Sequence, residues 1–329
     1  MKSEVRSGHV VALCGGVGGA KLALGLYRLL DPGQLSVIVN TGDDFDHCGL
    51  HISPDLDTVL YTLGGIADRE RGWGRAAETW NFMDALGCLG GETWFQLGDR
   101  DLAMHVTRTQ WLRDGGTLSE FASQTARMLG ISARIIPMSD DFVRTIVETA
   151  EGDLSFQHYF VRRRCEPVVK NIRYENADKV APAQSVLDLL SHPGVRAIVI
   201  CPSNPYLSID PILAVPGIRR ALANAAPVIA VSPIIRGQAV KGPTAKIMHE
   251  LGIVVNTQAI AAHYHGLIDA LVIDDADAAD QANADIPIMT TPTMMKTLDD
   301  RERLARDVMS FAVQLSRQTT AARTVGGSR

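Results

Sequence analysis

A mainly parallel α/β sheet, covered by helices and interrupted by a small helical insertion, is the fold this sequence predicts. Three observations carry the prediction. Short runs rich in β-branched residues alternate with helix-length segments along most of the chain. Those runs are apolar throughout rather than alternating with polar residues, as in strands buried on both faces. Between about residues 67 and 131 the strand signal stops and helical patterns replace it.

Taken in order, HVVALC (9–14) reads as a strand, followed by a glycine loop and a helix, AKLALGLYRLL (20–30). LSVIVN (35–40) is the second strand. RAIVICP (196–202), PVIAVSP (227–233), GIVV (252–255), ALVID (270–274) and IPIMT (286–290) continue the series. Within the strand-free stretch, three segments read as helices: 74–87, 101–116 and 117–130. They end at glycines, and TLSE (117–120) is a capping box. VRTIVETAEGDLSFQHYFVRR (143–163) predicts a β-hairpin turning at EGD. Residues 1–66 and 132–316 are therefore expected to form a Rossmann-like nucleotide-binding core, 67–131 the insertion, and 317–329 a disordered polar tail. Such sheets bind ligands beyond the carboxyl ends of their strands, where the strand order reverses.

Composition bounds the function. With 46% apolar and 21% charged residues the chain is an ordinary globular protein. A net charge of −5 and the lack of a dense Lys/Arg stripe argue against nucleic acid as the main partner. The N-terminus has too few consecutive apolar residues for a secretory segment, and no run approaches the ~18 of a membrane helix, so the cytoplasm is the expected compartment. Five scattered cysteines without a CxxC pair suggest neither a disulfide framework nor a zinc site.

Two neighbouring motifs carry the chemistry. CGGVGGAKLALG (14–25) joins the first strand to the first helix. Glycines there let backbone N–H groups approach an anion at a helix N-terminus. The motif fits neither standard fingerprint: a P-loop from Gly15 meets Ala20 and Leu22, and GxGxxG from Gly16 meets Lys21. It reads as a nonstandard phosphate loop or as a tight turn for close packing; Lys21 is either a phosphate contact or a solvated first-turn residue. NTGDDFDHCGLHISPDLDT (40–58) follows the second strand with five aspartates and no Lys or Arg. Helix capping accounts for part of this, since Pro54, Asp55 and Asp57 suit a first turn. Two acidic clusters beside a glycine loop also suit Mg2+, which takes one or two carboxylates plus phosphate oxygens.

Three weaker segments complete the set. WFQLGDRDLAMHVTR (94–108) places Asp101, His105 and Arg108 on one helical face, behind Asp99 and Arg100. That face is either functional or a surface ion-pair face capped by Asp99. CPSNPYLSIDPIL (201–213) and SPIIRGQAVKGPTAK (232–246) each follow a strand with Ser beside Pro, as nucleotide hydrogen bonding or plain turns would require.

Together with GLHISPDLDTVLYTLGG and SDD (139–141), these motifs occur in the order found in the 2-phospho-L-lactate transferase family, and from about residue 10 to 315 the chain resembles it. The resemblance implies a transferase moving a phosphorylated three-carbon acid (phospholactate, phosphoenolpyruvate or phosphoglycerate) from its guanosine diphosphate conjugate. The acceptor would be the ribityl hydroxyl of the deazaflavin Fo, with GMP leaving and a coenzyme F-420 precursor formed. It also implies Mg2+, a Rossmann-like core with a helical insertion, and a homodimer. Carried onto this chain, Asp43, Asp44 and Asp57 become the metal candidates, with Asp43 and Asp57 catalytic. Asp57 is the residue expected to orient the acceptor hydroxyl or take its proton, so Asp57→Asn is expected to abolish transfer with the fold intact. Gly15, Gly16, Gly18, Gly19, Lys21, Thr41, Ser203, Asn204 and Ser232 would contact the donor. Gln96 and Asp99 would lie near the acceptor, Gln96 where some relatives carry a basic residue. The competing reading is a regulatory protein of the related fold that binds a nucleotide sugar or dinucleotide without turnover. A nicotinamide oxidoreductase is disfavoured by Lys21 in the fingerprint.

Overall fold

The computed structural model describes residues 8–223, 226–240, 242–283 and 285–326. The chain opens with β1 (His9–Cys14), α1 (Gly16–Leu29) and β2 (Leu35–Val39), then a small hairpin, β3 (Phe45–His47) and β4 (Leu50–Ile52). Helices α2 (Pro54–Leu63), α3 (Asn81–Cys88), α4 (Asp99–Arg113) and α5 (Leu118–Met128) lead to β5 (Arg134–Pro137). Next come β6 (Arg144–Thr149), β7 (Gly152–Ser155), a π-helical turn (His158–Arg162), β8 (Val169–Glu175), α6 (Gln184–Leu190) and β9 (Val195–Ile200). A second π-helical turn (Pro205–Ile209) precedes α7 (Asp210–Ala214), α8 (Ile218–Ala223) and β10 (Val228–Val231). The remainder is a two-residue hairpin, β11 (Ile234–Ile235) and β12 (Gln238–Ala239), then α9 (Thr244–Glu250), α10 (Thr257–His263), β13 (Ala270–Ile273), a 3-10 segment (Asp275–Asn283), β14 (Ile288–Thr290) and α11 (Leu298–Gly326).

Seven parallel strands form the central sheet in the order β14-β13-β10-β9-β1-β2-β5. The chain winds outward from β1 through β2 to β5, then returns to β9 and winds the other way. The order therefore reverses between β1 and β9. Alternate residues of β1 face opposite cores: Val10, Ala12 and Cys14 pack with α1, α2, α5 and α11, while Val11 and Leu13 pack with α6 to α10. That two-sided burial is why the strands read as unbroken apolar runs. Gly25 lets α11 cross α1 closely, since a Cβ there would run into the Arg301 carbonyl.

Several elements differ from expectation. GIVV is not a strand: Gly252 (φ +72) and the N-cap residue Asn256 confine it between α9 and α10, and Val254 is 71% exposed. Conversely, the sequence reading lacked β5, four residues at the sheet edge that end in proline. The first insertion helix begins at Asn81, because Gly72 and Gly74 adopt positive φ in the irregular segment before it. The expected hairpin ends at Ser155 and gains β8 as a third strand on the other side of β6. The capping box at Thr117 and Glu120 forms as expected, but α5 packs Leu118, Ala122 and Ala126 into the core beneath the sheet. The segments with a separate small core are α3, α4 and the β3–β4 hairpin, joined through Phe45, Ile52, Met83 and Leu97. Helix α11 continues to Gly326, through most of the stretch expected to be disordered, which offers no proline or glycine before that residue. Residues 327–329 of that stretch lie outside the described residues.

Candidate functional site

A cavity of about 610 Å³ opens at the carboxyl ends of β1 and β9, where the strand order reverses. Its floor is the glycine turn. Ser203, just past β9, accepts a hydrogen bond from the Gly15 amide at 3.1 Å and donates to the Gly15 carbonyl at 2.8 Å, clamping the two loops together. A Cβ at Gly18 would stand 2.6 Å from the Pro202 carbonyl oxygen, and one at Gly19 would collide with Ser203 Oγ. These glycines are therefore required by close packing. Gly16, with φ +63, starts α1 and donates its amide to Asp55 Oδ1 at 2.6 Å. That amide is committed to a carboxylate, so the turn offers an anion less than its composition suggests. Lys21 lines the cavity and donates to the Met295 carbonyl.

The acidic stretch converges on the same floor. Asn40, at the end of β2, donates from Nδ2 to Asp43 Oδ1 (2.5 Å) and Asp55 Oδ2 (2.9 Å), so two buried carboxylates share one amide. Burial, with Asp55 and Asp44 nearby, pushes Asp43 well above the usual carboxylate range. Burial raises Asp55 to about 6, against the lowering effect of Asn40 and Gly16. Asp44 is buried and does not line the cavity. Its Oδ2 accepts from Ser53 Oγ at 2.5 Å and lies 3.3 Å from His51 Nε2, while its Oδ1 has no hydrogen-bond partner among the described residues. Thr41 Oγ1 is likewise buried without one.

Asp57 is placed differently. It lines the cavity but is gripped by Arg108, which donates Nη1 to Oδ1 at 2.6 Å and Nη2 to Oδ2 at 3.0 Å. The same guanidinium donates to the His51 carbonyl and to His105 Nδ1, and Arg108 is 0% exposed. Asp101 completes the cluster: it accepts from the Tyr61 hydroxyl, and its Oδ2 lies 3.3 Å from His105 Nε2. Burial would raise Asp101, but His105 and Tyr61 outweigh it and leave its carboxyl below the usual range. Asp57, Asp101 and His105 are spaced as metal ligands could be. Arg108 already supplies positive charge there, however, and a second cation would be repelled.

Of the remaining sequence candidates, Asn204 and Ser232 line the cavity. Asn204 Oδ1 caps the second π-helical turn and its Nδ2 is buried without a partner. Gln96 lines the mouth and donates to the Thr93 carbonyl. Asp99 stays outside the cavity: it accepts from the Asn81 and Phe82 amides and Thr79, which caps α3 and lowers its carboxyl to about 2. Gly19 lies behind the floor. The cavity also has an apolar, aromatic wall, with Trp73, Phe95, Phe156 and Phe160. Phe156 and Phe160 stack at 5.3 Å, and Phe95 meets Phe45 edge-on at 4.9 Å.

This geometry can be set beside known proteins. The sequence profile of the family described as 2-phospho-L-lactate transferase CofD matches residues 10–313. The chain belongs to the 2-phospho-L-lactate transferase family. It is 40% identical to a phosphoenolpyruvate transferase of Streptomyces coelicolor, covering 93% of this chain and 99% of the relative. It is 39% identical to a 2-phospho-L-lactate transferase of Methanosarcina mazei, covering 83% and 89%. Its fold also resembles a UPF0052 family protein from Bacillus halodurans, with a TM-score of 0.62, 17% identity, and coverage of 92% of this chain and 99% of that one.

Within the 2-phospho-L-lactate transferase family's frame, the site residues that sequence reasoning did not select are Asn40, Asp55, Tyr61, Asp101, His105 and Arg108. The i, i+4 and i, i+3 spacing of the last three was visible, but it equally suits a solvated face. Burial by the β3–β4 hairpin decides between the two, since His105 is 2% exposed. Asp55 carried the same signal as Asp57 two residues on, and only the fold shows which of them faces Asp43. Among the described residues, no helix is long and apolar enough to cross a membrane.

Proposed function

We propose that the protein transfers a phosphorylated three-carbon acid from its guanosine diphosphate conjugate to the hydroxyl of the deazaflavin Fo, releasing GMP. The observation that carries this reading is one cavity lined both by a glycine turn with buried carboxylates and by an aromatic wall. A planar heterocycle suits the aromatic wall, and the donor's diphosphate suits the floor. A diphosphate beside Asp43 and Asp55 would be repelled unless a cation lay between them.

The residues fit Mg2+. The donors are hard oxygens, Asp43 and Asp55 share a single amide, and their raised pKa values are those of acids placed together without a matching charge. Asp43 and Asp55 would hold the ion, with Asp44 outside the cavity lining, while Asp57 is neutralised by Arg108. Bound there, Mg2+ would offset charge on the phosphoryl oxygens and the leaving GMP. The chain's own contribution is placement. Ser203 and the glycine turn fix the floor, the aromatic wall orients the acceptor and keeps water out, and the acidic side chains accept its proton. The hydroxyl oxygen bonds to the phosphorus bearing the acid, and the bridging P–O bond breaks with its electron pair leaving on GMP.

The test is to incubate the protein with Fo, Mg2+ and each of the three guanosine diphosphate conjugates. GMP release with one of them is expected. Its absence with all three, alongside tight nucleotide binding, would favour the regulatory reading.

A further inference from the structure

We propose that Asp101 and His105 form a hydroxyl-reading pair, which binds one polyol hydroxyl of the acceptor between them. This rests on the reading that the acceptor carries a ribityl chain.

A guanidinium only donates hydrogen bonds. Because Arg108 Nη2 lies 2.8 Å from His105 Nδ1, that nitrogen must present its lone pair, and the ring proton must sit on Nε2. His105 lines the cavity and is only 2% exposed, and its buried Nε2 makes no hydrogen bond among the described residues. Asp101 Oδ2, 3.3 Å away, is a long contact that leaves room for a better-placed acceptor. An unsatisfied buried N–H is costly, and a ligand that pairs with it recovers that cost.

The ligand group is set by what faces it. A phosphate or carboxylate would be repelled by Asp101. An ammonium has no acceptor for Nε2–H. A hydroxyl does both tasks, accepting from His105 Nε2 and donating to Asp101 Oδ2. Tyr61 holds the other carboxylate oxygen and so orients the pair. His105 is thus a substrate-binding residue, and Arg108 is a positioning residue that fixes its tautomer.

Two substitutions separate this from a structural role. His105→Asn keeps an acceptor for Arg108 but offers nothing at the Nε2 position. His105→Gln reaches that position with an amide N–H but is poorly placed for Arg108. Calorimetric titration without donor would measure the binding of Fo and of a deazaflavin bearing N-methyl in place of the ribityl chain. Expected are about tenfold weaker Fo binding by His105→Asn, a smaller loss for His105→Gln, and no effect of either substitution on the N-methyl compound. Equal losses on both compounds, or Fo binding by His105→Asn that matches wild type, would overturn the proposal. Failure of wild type to bind Fo while it binds guanosine diphosphate would instead remove the acceptor reading, and this inference with it.

Discussion

Replacing Asp55 by asparagine should change how stability depends on pH, and in an unusual direction. Burial lifts the Asp55 carboxyl from 3.8 to about 6, with Asp44 adding to the rise and Asn40 and Gly16 opposing it. The folded protein therefore keeps this proton to higher pH than the unfolded chain does. The stability associated with the protonated form is fully present below about pH 4 and is lost as pH rises through about 6. At full ionisation the difference corresponds to about 3 kcal/mol. The side chain introduced by Asp55→Asn cannot ionise, and its oxygen still accepts from the Gly16 amide; its amide group, facing Asn40, costs on the order of 1 kcal/mol. In chelator, urea unfolding at pH 4.5 should find the variant no more stable than wild type. At pH 7.5 it should have gained about 2 kcal/mol relative to wild type, while being inactive. A stability difference that stays constant across that range would refute the claim that an uncompensated carboxylate sits at this floor.

Further outcomes follow from the same contacts. Millimolar Mg2+ at pH 7.5 should raise the Tm of wild type and leave Asp55→Asn nearly unmoved, as read by calorimetry. Arg108→Met should destabilise the fold by about 3–5 kcal/mol, because it strands Asp57 in a buried site; urea unfolding measures this. Asp57→Asn leaves the guanidinium short of its counter-charge, so lost transfer should come with a clearly lowered Tm, and the intact fold expected from the sequence alone is revised. Gly18→Ala drives a Cβ to 2.6 Å from the Pro202 carbonyl, and should cut GMP release by at least tenfold with a modest loss of stability.

The fold was legible because burial on both sheet faces leaves a plain mark, as in Val10 to Cys14, all apolar and all buried. Short edge elements leave no such mark: β5 is four residues long, and GIVV has the composition of a strand without a neighbour to pair with. The glycine turn and the acidic stretch are plain in the sequence, since four glycines in five residues and five aspartates without a Lys or Arg are both unusual local compositions. What their composition does not encode is pairing. Asp43, Asp55 and Asp57 look alike in sequence, yet Asn40 joins the first two and Arg108, fifty-one residues beyond Asp57, claims the third. Likewise Asp99 looks like part of a site and instead caps α3 from across a loop.

The most direct test of the account is a crystal structure with guanosine diphosphate and Mn2+ in place of Mg2+, using anomalous scattering to locate the metal. The account predicts a metal peak within coordination distance of Asp43 and Asp55 and of a diphosphate oxygen above the glycine turn. A diphosphate bound without metal, or a metal bound away from both carboxylates, would contradict it.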